Sequence, residues 1–363
     1  MILALVVLSV IIIFHEFGHF LLARANGIAV MEFSLGFGPR ILSYVSRKSG
    51  TRYSLKLLPF GGSCAMLGDD GEDEGEEDGG LMRESVKGES FYAKSPLARI
   101  SVIAAGPVFN FIMAFVFAVV IVSWAGYDPP VIKSITPGMA AEAAGVKEGD
   151  VVTRIGNRRV WLTRDVMLYM SVKGDQDVRL TLKRYDEASE SYKTCEVRLD
   201  RDALVYRNGR YMMGVGFDGG YVPAESLPEY IKYGAAEVRY TVCAVIDSLK
   251  MLVKGKVSSE DIAGPVRIVS IIDDTVEQAS PYGFMTVFMT LLNLMVMFSA
   301  NLGVMNLLPF PALDGGRLVF LIWELLTRKP VSQRVEGAVN MTGMALLMTF
   351  MLFVVLNDLR YLF

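Results

Sequence analysis

The sequence predicts a multi-span α-helical membrane protein: four transmembrane helices, a β-hairpin after the first of them, and a small α+β domain between the second and third. Three observations predict it. The 363 residues are 52% hydrophobic and only 21% charged, with a mean hydropathy of +0.38, high for a chain of this size in water. Four stretches stay apolar over the roughly 20 residues that one helical crossing needs. The segment 128–219, by contrast, carries the turns and alternating periods of a soluble domain. This composition excludes a disordered chain, a collagen-like chain and a small secreted scaffold. A net charge of -3 gives no reason to expect nucleic acid as a partner. The 3 cysteines, Cys64, Cys195 and Cys243, are widely spaced and form no CxxC pair, so neither a disulfide framework nor a cysteine zinc site is expected.

The first span covers 1–23 and is interrupted by His15, Glu16 and His19. It lacks a basic n-region and an A-x-A-like cleavage site, which argues against a signal peptide. The second, 100–127, contains no charge; the third, 278–313, is also uncharged and longer than one crossing needs; the fourth covers 338–357. Lys and Arg in the loops set the orientation. Ten of them, from Arg24 to Arg99, lie between the first two spans, and Arg317, Arg328, Lys329 and Arg334 follow the third. Both basic loops are therefore expected in the cytoplasm, with both termini and the segment 128–277 on the other side.

Between the spans, 28–66 reads as a β-hairpin. Arg47-Lys48-Ser49-Gly50 is its turn, Tyr53, Leu55 and Leu57 alternate with polar residues, and Gly61-Gly62 is its expected end. The acidic run inside the loop 69–80 is expected to repel itself and to carry no chemistry. In 128–219, strands are expected at 131–135, 151–155 and from 178 onward, with helices at 139–144 and 163–172. The segment 220–277 reads as a linker. Val238, Val242, Val245, Leu249 and Leu252 give it an amphipathic helix at 229–253, lying on the membrane or against the small domain.

The chemistry-bearing residues are few. His15 and His19 are the only 2 histidines, and they form HExxH with Glu16. Spacing of four puts both imidazoles on one helix face, able to share one zinc ion. Zinc lowers the pKa of a bound water to about 7, so the adjacent Glu16 is placed to act as general base. An acidic residue at the centre of a spanning helix costs about 2.5–3.5 kcal/mol, so this constellation is expected to have a function. A catalytic zinc takes a third protein ligand. With no third histidine it must be a carboxylate or thiolate. Asp314 is the first carboxylate after the long third run, behind a segment that Pro309, Pro311, Gly315 and Gly316 break. His15 and Asp314 both fall toward the cytoplasmic ends of their spans, so they can meet at one depth. Glu324 is the reserve candidate.

With these motifs the chain resembles the site-2 protease family of intramembrane zinc metalloproteases, in its bacterial regulator-of-sigma-E protease branch. HEFGH at 15–19, Ala105-Gly106-Pro107-Val108-Phe109-Asn110-Phe111, and the segment from Asn306 to Gly316 match the three motif regions in order. Phe37-Gly38-Pro39, Leu58-Pro59-Phe60-Gly61-Gly62 and Gly264-Pro265-Val266 match as well. The resemblance implies that His15, His19 and Asp314 bind Zn2+ and that Glu16 is the catalytic base. Asn301, Asn306, Pro309 and Pro311 would contact substrate, and Gly106, Pro107 and Asn110 would belong to the second-span motif. It further implies that the hairpin is a cytoplasmic-side re-entrant β-loop touching substrate, and that 128–219 is an extracytoplasmic PDZ domain. The protease core would then be 1–127 and 278–363. Many family members carry two tandem PDZ domains; this chain has room for one.

The expectation is thus a multi-pass protease of the bacterial inner membrane. Its partners would be the lipid bilayer and single-span substrates already cut by another protease, such as anti-sigma factors or signal-peptide remnants. A substrate helix must unwind, and adding it as a strand to the hairpin would satisfy its backbone. A metal transporter is disfavoured because the second and fourth spans lack charges. A catalytically inactive PDZ scaffold is disfavoured by the intact HExxH and Asp314.

Overall fold

The computed structural model describes residues 2–68, 86–207, 210–217, 220–256 and 264–362. The acidic run in 69–80 lies outside them. In chain order the elements are α1 (Ile2–Ala25), β1 (Val30–Val45), β2 (Arg52–Met66), α2 (Pro96–Ala125), β3 (Ser134–Ile135), α3 (Ala140–Ala143), β4 (Val151–Ile155), β5 (Arg158–Arg159), α4 (Thr163–Lys173), β6 (Val178–Asp186), β7 (Ser191–Leu199), β8 (Val205–Arg207), β9 (Arg210–Met212), β10 (Val215–Gly216), α5 (Leu227–Val253), α6 (Pro265–Ala279), α7 (Phe284–Asn306), α8 (Asp314–Thr327) and α9 (Gln333–Leu362). Among the described residues, four helices are long and apolar enough to cross a membrane: Leu3–Ala25, Pro96–Ala125, Phe284–Asn306 and Gln333–Asp358. The third is shorter than the apolar run that predicts it. Pro281 and Gly283 break that run: a 3-10 turn at Ser280–Tyr282 leads into Gly283 at φ +95, a left-handed conformation suited to glycine. The chain divides into two compact units, Met1–Ala114 with Val257–Phe363, and Phe115–Lys256.

In the first unit, α1 and α2 approach at two glycines. A Cβ on Gly18 would sit 2.5 Å from the Ala105 carbonyl oxygen, and one on Gly106 would sit 2.3 Å from His19 Nε2. In a bilayer, where lipid is as apolar as leucine, such small-residue packing is what brings helices together. The hairpin is more elaborate than its sequence pattern. β1 and β2 form a two-stranded sheet that folds back on itself. Segment 42–45 pairs with 52–55, while 32–35 lies beside both 52–55 and 62–65. Gly61-Gly62 therefore does not end the hairpin: β2 turns there and returns as an edge segment that runs to Met66. Glu32 pins the fold-back, taking hydrogen bonds from Arg40 at 2.9 Å and Ser54 at 2.5 Å, with Lys56 at 3.6 Å. Phe20, Phe33 and Tyr53 pack the sheet onto α1. Farther along the chain, the buried Asp358 of α9 accepts backbone hydrogen bonds from Gly264 at 3.0 Å and Arg267 at 3.1 Å. It thereby satisfies two of the orphan donors at the start of α6.

The second unit holds the α+β domain. Its main sheet has the order β5-β4-β6-β7, and β10 pairs with β3. The alternating residues Val178, Leu180 and Leu182 bury one face of β6 against Ile132, Val152, Ile155, Val166 and Leu199. The expected strand at 131–135 is reduced to Ser134–Ile135 plus a single bridge at Val131. Of the two placements expected for the amphipathic helix, α5 takes the one against the domain. Its charged face does the docking: Arg158 reaches Asp247 at 2.6 Å, Arg239 reaches Asp165 at 2.5 Å, and Arg164 pairs with Glu237. Tyr127 stacks on Tyr233 at 3.5 Å between ring centroids.

Candidate active site

The continuous helix α1 carries His15 and His19 one turn apart, and both residues are 6% exposed. His15 Nε2 and His19 Nε2 lie 3.2 Å apart. After α7 ends, Pro309 and Pro311 prevent the helix from continuing, and α8 restarts at Asp314. That restart aims the Asp314 carboxylate back at α1, with Oδ2 3.2 Å from His15 Nε2 and 3.5 Å from His19 Nε2. Potential ligand atoms of these three residues lie within 4.8 Å of one another, and they form the only such cluster among the described residues. Asp314 Oδ2 is buried, yet finds no hydrogen bond of acceptable geometry among the described residues. Leaving a buried charged acceptor without a donor is costly. Two imidazole nitrogens and an orphan carboxylate oxygen facing one point fit a divalent cation, and the donor set suits zinc.

The outer faces of these groups are also held. His19 Nδ1–H donates to the Val102 carbonyl at 2.9 Å, and the Asn110 amide lies 3.1 Å from His15 Nδ1. Asn306 Nδ2 lies 3.3 Å from His15 Nε2. In the Asp314 loop, Ala312 adopts φ +71, and its N–H is held by Asn340 Oδ1 at 3.3 Å. A non-glycine residue in that conformation stores strain that the surroundings must hold in place. Glu16 faces a cavity of about 290 Å³ lined also by Ser63, Cys64, Asn306, Leu313 and Arg317. The edge segment of β2 forms one wall, close enough that a Cβ on Gly62 would lie 3.3 Å from Glu16 Cγ.

The structure thus brings together His15, Glu16, His19, Asn306 and Asp314, and sets Gly106 and Asn110 directly behind the imidazoles. Pro107 sits inside α2, and its carbonyl faces Gly303 of α7. Pro311 packs against Gly343 of α9, while Pro309 is exposed. Asn301 is exposed on α7 and does not line the cavity. The reserve carboxylate Glu324 is elsewhere, paired with the buried Arg99 at 2.5 Å. Sequence reading does not single out Val102, Ser63, Cys64 or Asn340. A backbone carbonyl leaves no signature in sequence, and the other three reach the site only through the strand fold-back and the α9 packing.

A model of peptidase family M50 matches residues 3–350. The chain belongs to that family. A Clostridium acetobutylicum protein named as a zinc metalloprotease is 32% identical over 362 residues, spanning 99% of this chain and 97% of that one. The zinc metalloprotease RasP of Bacillus licheniformis is 30% identical, with 99% and 98% covered. The regulator of sigma-W protease RasP of Bacillus subtilis is 28% identical over the same shares. This M50 chain is a zinc metalloprotease, and with its four apolar helices it is an integral membrane protein.

Proposed function

We propose that this metalloprotease cuts a peptide bond in or beside the transmembrane segment of single-span membrane proteins. His15, His19 and Asp314 hold the zinc, and Glu16 is the base. The observation that carries this reading is the convergence of three ligand atoms, two from the apolar helix α1 and one from Asp314 at the start of α8, with Asp314 Oδ2 left without a hydrogen bond among the described residues. When bound, zinc supplies the Lewis acid that polarises the scissile carbonyl and activates water. Glu16, in the cavity beside the imidazoles, takes the water proton and returns it to the leaving amine.

A helical amide is shielded by its own hydrogen bonds, so the substrate must be extended before it is cut. The edge segment 62–66 lies along the Glu16 side of the cavity and offers the place for an added strand. Asn306, whose amide reaches the same point as the ligands, is the contact nearest the scissile bond. Pro309 and Pro311 shape the adjoining loop, and Asn301 would touch a flanking part of the substrate. The name of the Bacillus subtilis relative connects that protein to sigma-W regulation. By extension, the substrates of this chain are anti-sigma factors or signal-peptide remnants already trimmed by another protease. On the positive-inside rule, the basic loops support a cytoplasmic hairpin and an α+β domain, read as a single PDZ domain at 128–219, on the outer side of the inner membrane. Gln substitution at Glu16 tests the reading. Glu16→Gln should retain zinc while cleavage of a single-span model substrate falls by at least about 100-fold. Unimpaired cleavage by this variant would overturn the assignment.

A further inference from the structure

Helix α2 presents three features to α1 at a spacing of four: the Val102 carbonyl, the side-chain-free Gly106, and the Asn110 amide. His19 meets Val102, His15 meets Asn110 eight residues further along α2, and Gly106, midway between them, leaves room for both rings. The two partners are chemically different. A carbonyl can only accept, which fixes the proton of His19 on Nδ1 and leaves the Nε2 lone pair facing the ligand cluster. An amide can donate or accept. With Asn110 Nδ2 directed at His15 Nδ1, the Asn110 Oδ1 is buried without any hydrogen-bond partner among the described residues. Oxygen and nitrogen of an amide have nearly the same shape, so the hydrogen-bond network decides which one faces the ring.

We propose that Asn110 is the positioning residue for His15: its Oδ1 accepts the His15 Nδ1–H, which holds the Nε2 lone pair ready for the metal. The proposal rests on the reading of His15, His19 and Asp314 as the zinc ligands. The amide rotation it requires gives the orphan oxygen a donor. The backbone of Asn110 is itself anchored, because Ser299 Oγ donates to its carbonyl at 2.8 Å, and the side chain is fully buried. The ring of His15 is therefore oriented from α2 as firmly as that of His19, through a side chain in place of the backbone.

The experiment uses the full-length protein in detergent, labelled with 15N-histidine. Only 2 histidines exist, so four ring nitrogens report on the site without further assignment than one His19 variant. In the zinc-loaded wild type, both residues should carry the proton on Nδ1, with both Nε2 signals shifted by the metal. Asn110→Asp keeps the acceptor and removes the donor, so zinc affinity by chelator competition should stay within a few-fold. Asn110→Leu removes both and should weaken zinc affinity about 10–100-fold, with the ring signals of His15 changed and those of His19 kept. Equal losses in Asn110→Asp and Asn110→Leu would overturn the proposal, as would a wild-type His15 protonated on Nε2. If Asn110→Leu does not fold, the Asp variant and the wild-type spectrum decide alone. Ring signals that ignore zinc in the wild type would instead sink the ligand assignment itself, a distinguishable failure.

Discussion

Two parts of the molecule bury carboxylates, and they treat them differently. In the second unit, Asp165 accepts hydrogen bonds from the backbone N–H groups of Trp161 and Leu162 and from Arg239, and Asp247 takes Arg158 and Lys250. Each negative charge there is matched by a guanidinium and serves to hold α5 against the sheet domain. In the first unit, Asp314 Oδ2 faces two imidazole nitrogens and finds no hydrogen-bond donor among the described residues. Asp165 also leaves one oxygen without a partner, but its other oxygen takes three donors. A buried acid answered by arginine is an architectural clamp. A buried acid answered only by lone-pair donors is half of a coordination sphere. Glu324 shows the same rule within the first unit, since its partner is Arg99 and its place is outside the cluster.

The sharpest way to break this contrast is to exchange the fates of the two acids. Asp314→Ala removes a ligand, so zinc affinity should fall by more than the roughly 100-fold that an outer partner can cost, and proteolysis should vanish with it. The folded structure should survive, because no arginine is left stranded. Glu324→Gln should do the reverse. It leaves Arg99 buried without its counter-charge, at a cost of about 3–5 kcal/mol in stability, while the folded fraction keeps its zinc. Metal analysis by mass spectrometry beside thermal melting separates the outcomes. Full zinc occupancy at unchanged affinity in Asp314→Ala would move the third ligand elsewhere.

A smaller effect is expected from the clamp. In Arg239→Met the fully buried Asp165 loses its guanidinium but keeps two backbone donors, and Arg239 itself is 31% exposed. The loss should be about 2 kcal/mol, below the 3–5 kcal/mol of a fully buried pair. It should appear as a lower melting temperature with no change in zinc affinity. A zinc affinity that tracked this substitution would join the two regions that the contrast keeps apart.

How far the sequence carries differs between these regions. The HExxH spacing and the Pro-broken segment before Asp314 are strong local signals, because a charge inside an apolar run is expensive and needs a reason. The four spans follow from hydropathy in the same way, with the third shortened by Gly283. The folded-back hairpin was not legible. Alternation in Tyr53, Leu55 and Leu57 shows a strand, but not that 32–35 pairs on both sides and brings Cys64 to the cavity. The role of α5 was half legible: the apolar stripe predicts an amphipathic helix, while its docking depends on Arg158, Arg164 and Asp165, which lie about 70 to 90 residues away from their α5 partners in sequence. Long-range charge pairs have no periodicity to read.

The mildest and most conditional prediction concerns removing the α+β domain. If 128–219 only restrains access, deleting it should leave zinc binding and the cleavage of an already trimmed substrate unchanged, and should raise cleavage of a substrate with a bulky outer domain. The ion pairs dictate how the deletion must be made. Excising 132–216 alone would strip Arg158, Arg164 and Asp165 from α5 and leave Asp247, Glu237 and Arg239 facing nothing. Such a variant could lose activity by misfolding, which says nothing about access. Excising 128–254 removes both partners of these three pairs and keeps α2 whole through Ala125. Zinc content of this variant should match that of the intact chain, since His15, His19 and Asp314 all lie in the other unit. With zinc retained, a rise of several-fold for the bulky substrate and none for the trimmed one supports restraint. Much slower cutting of the trimmed substrate would instead mean that the domain recruits it, for instance by strand addition to a new C-terminus, and the gate would be wrong.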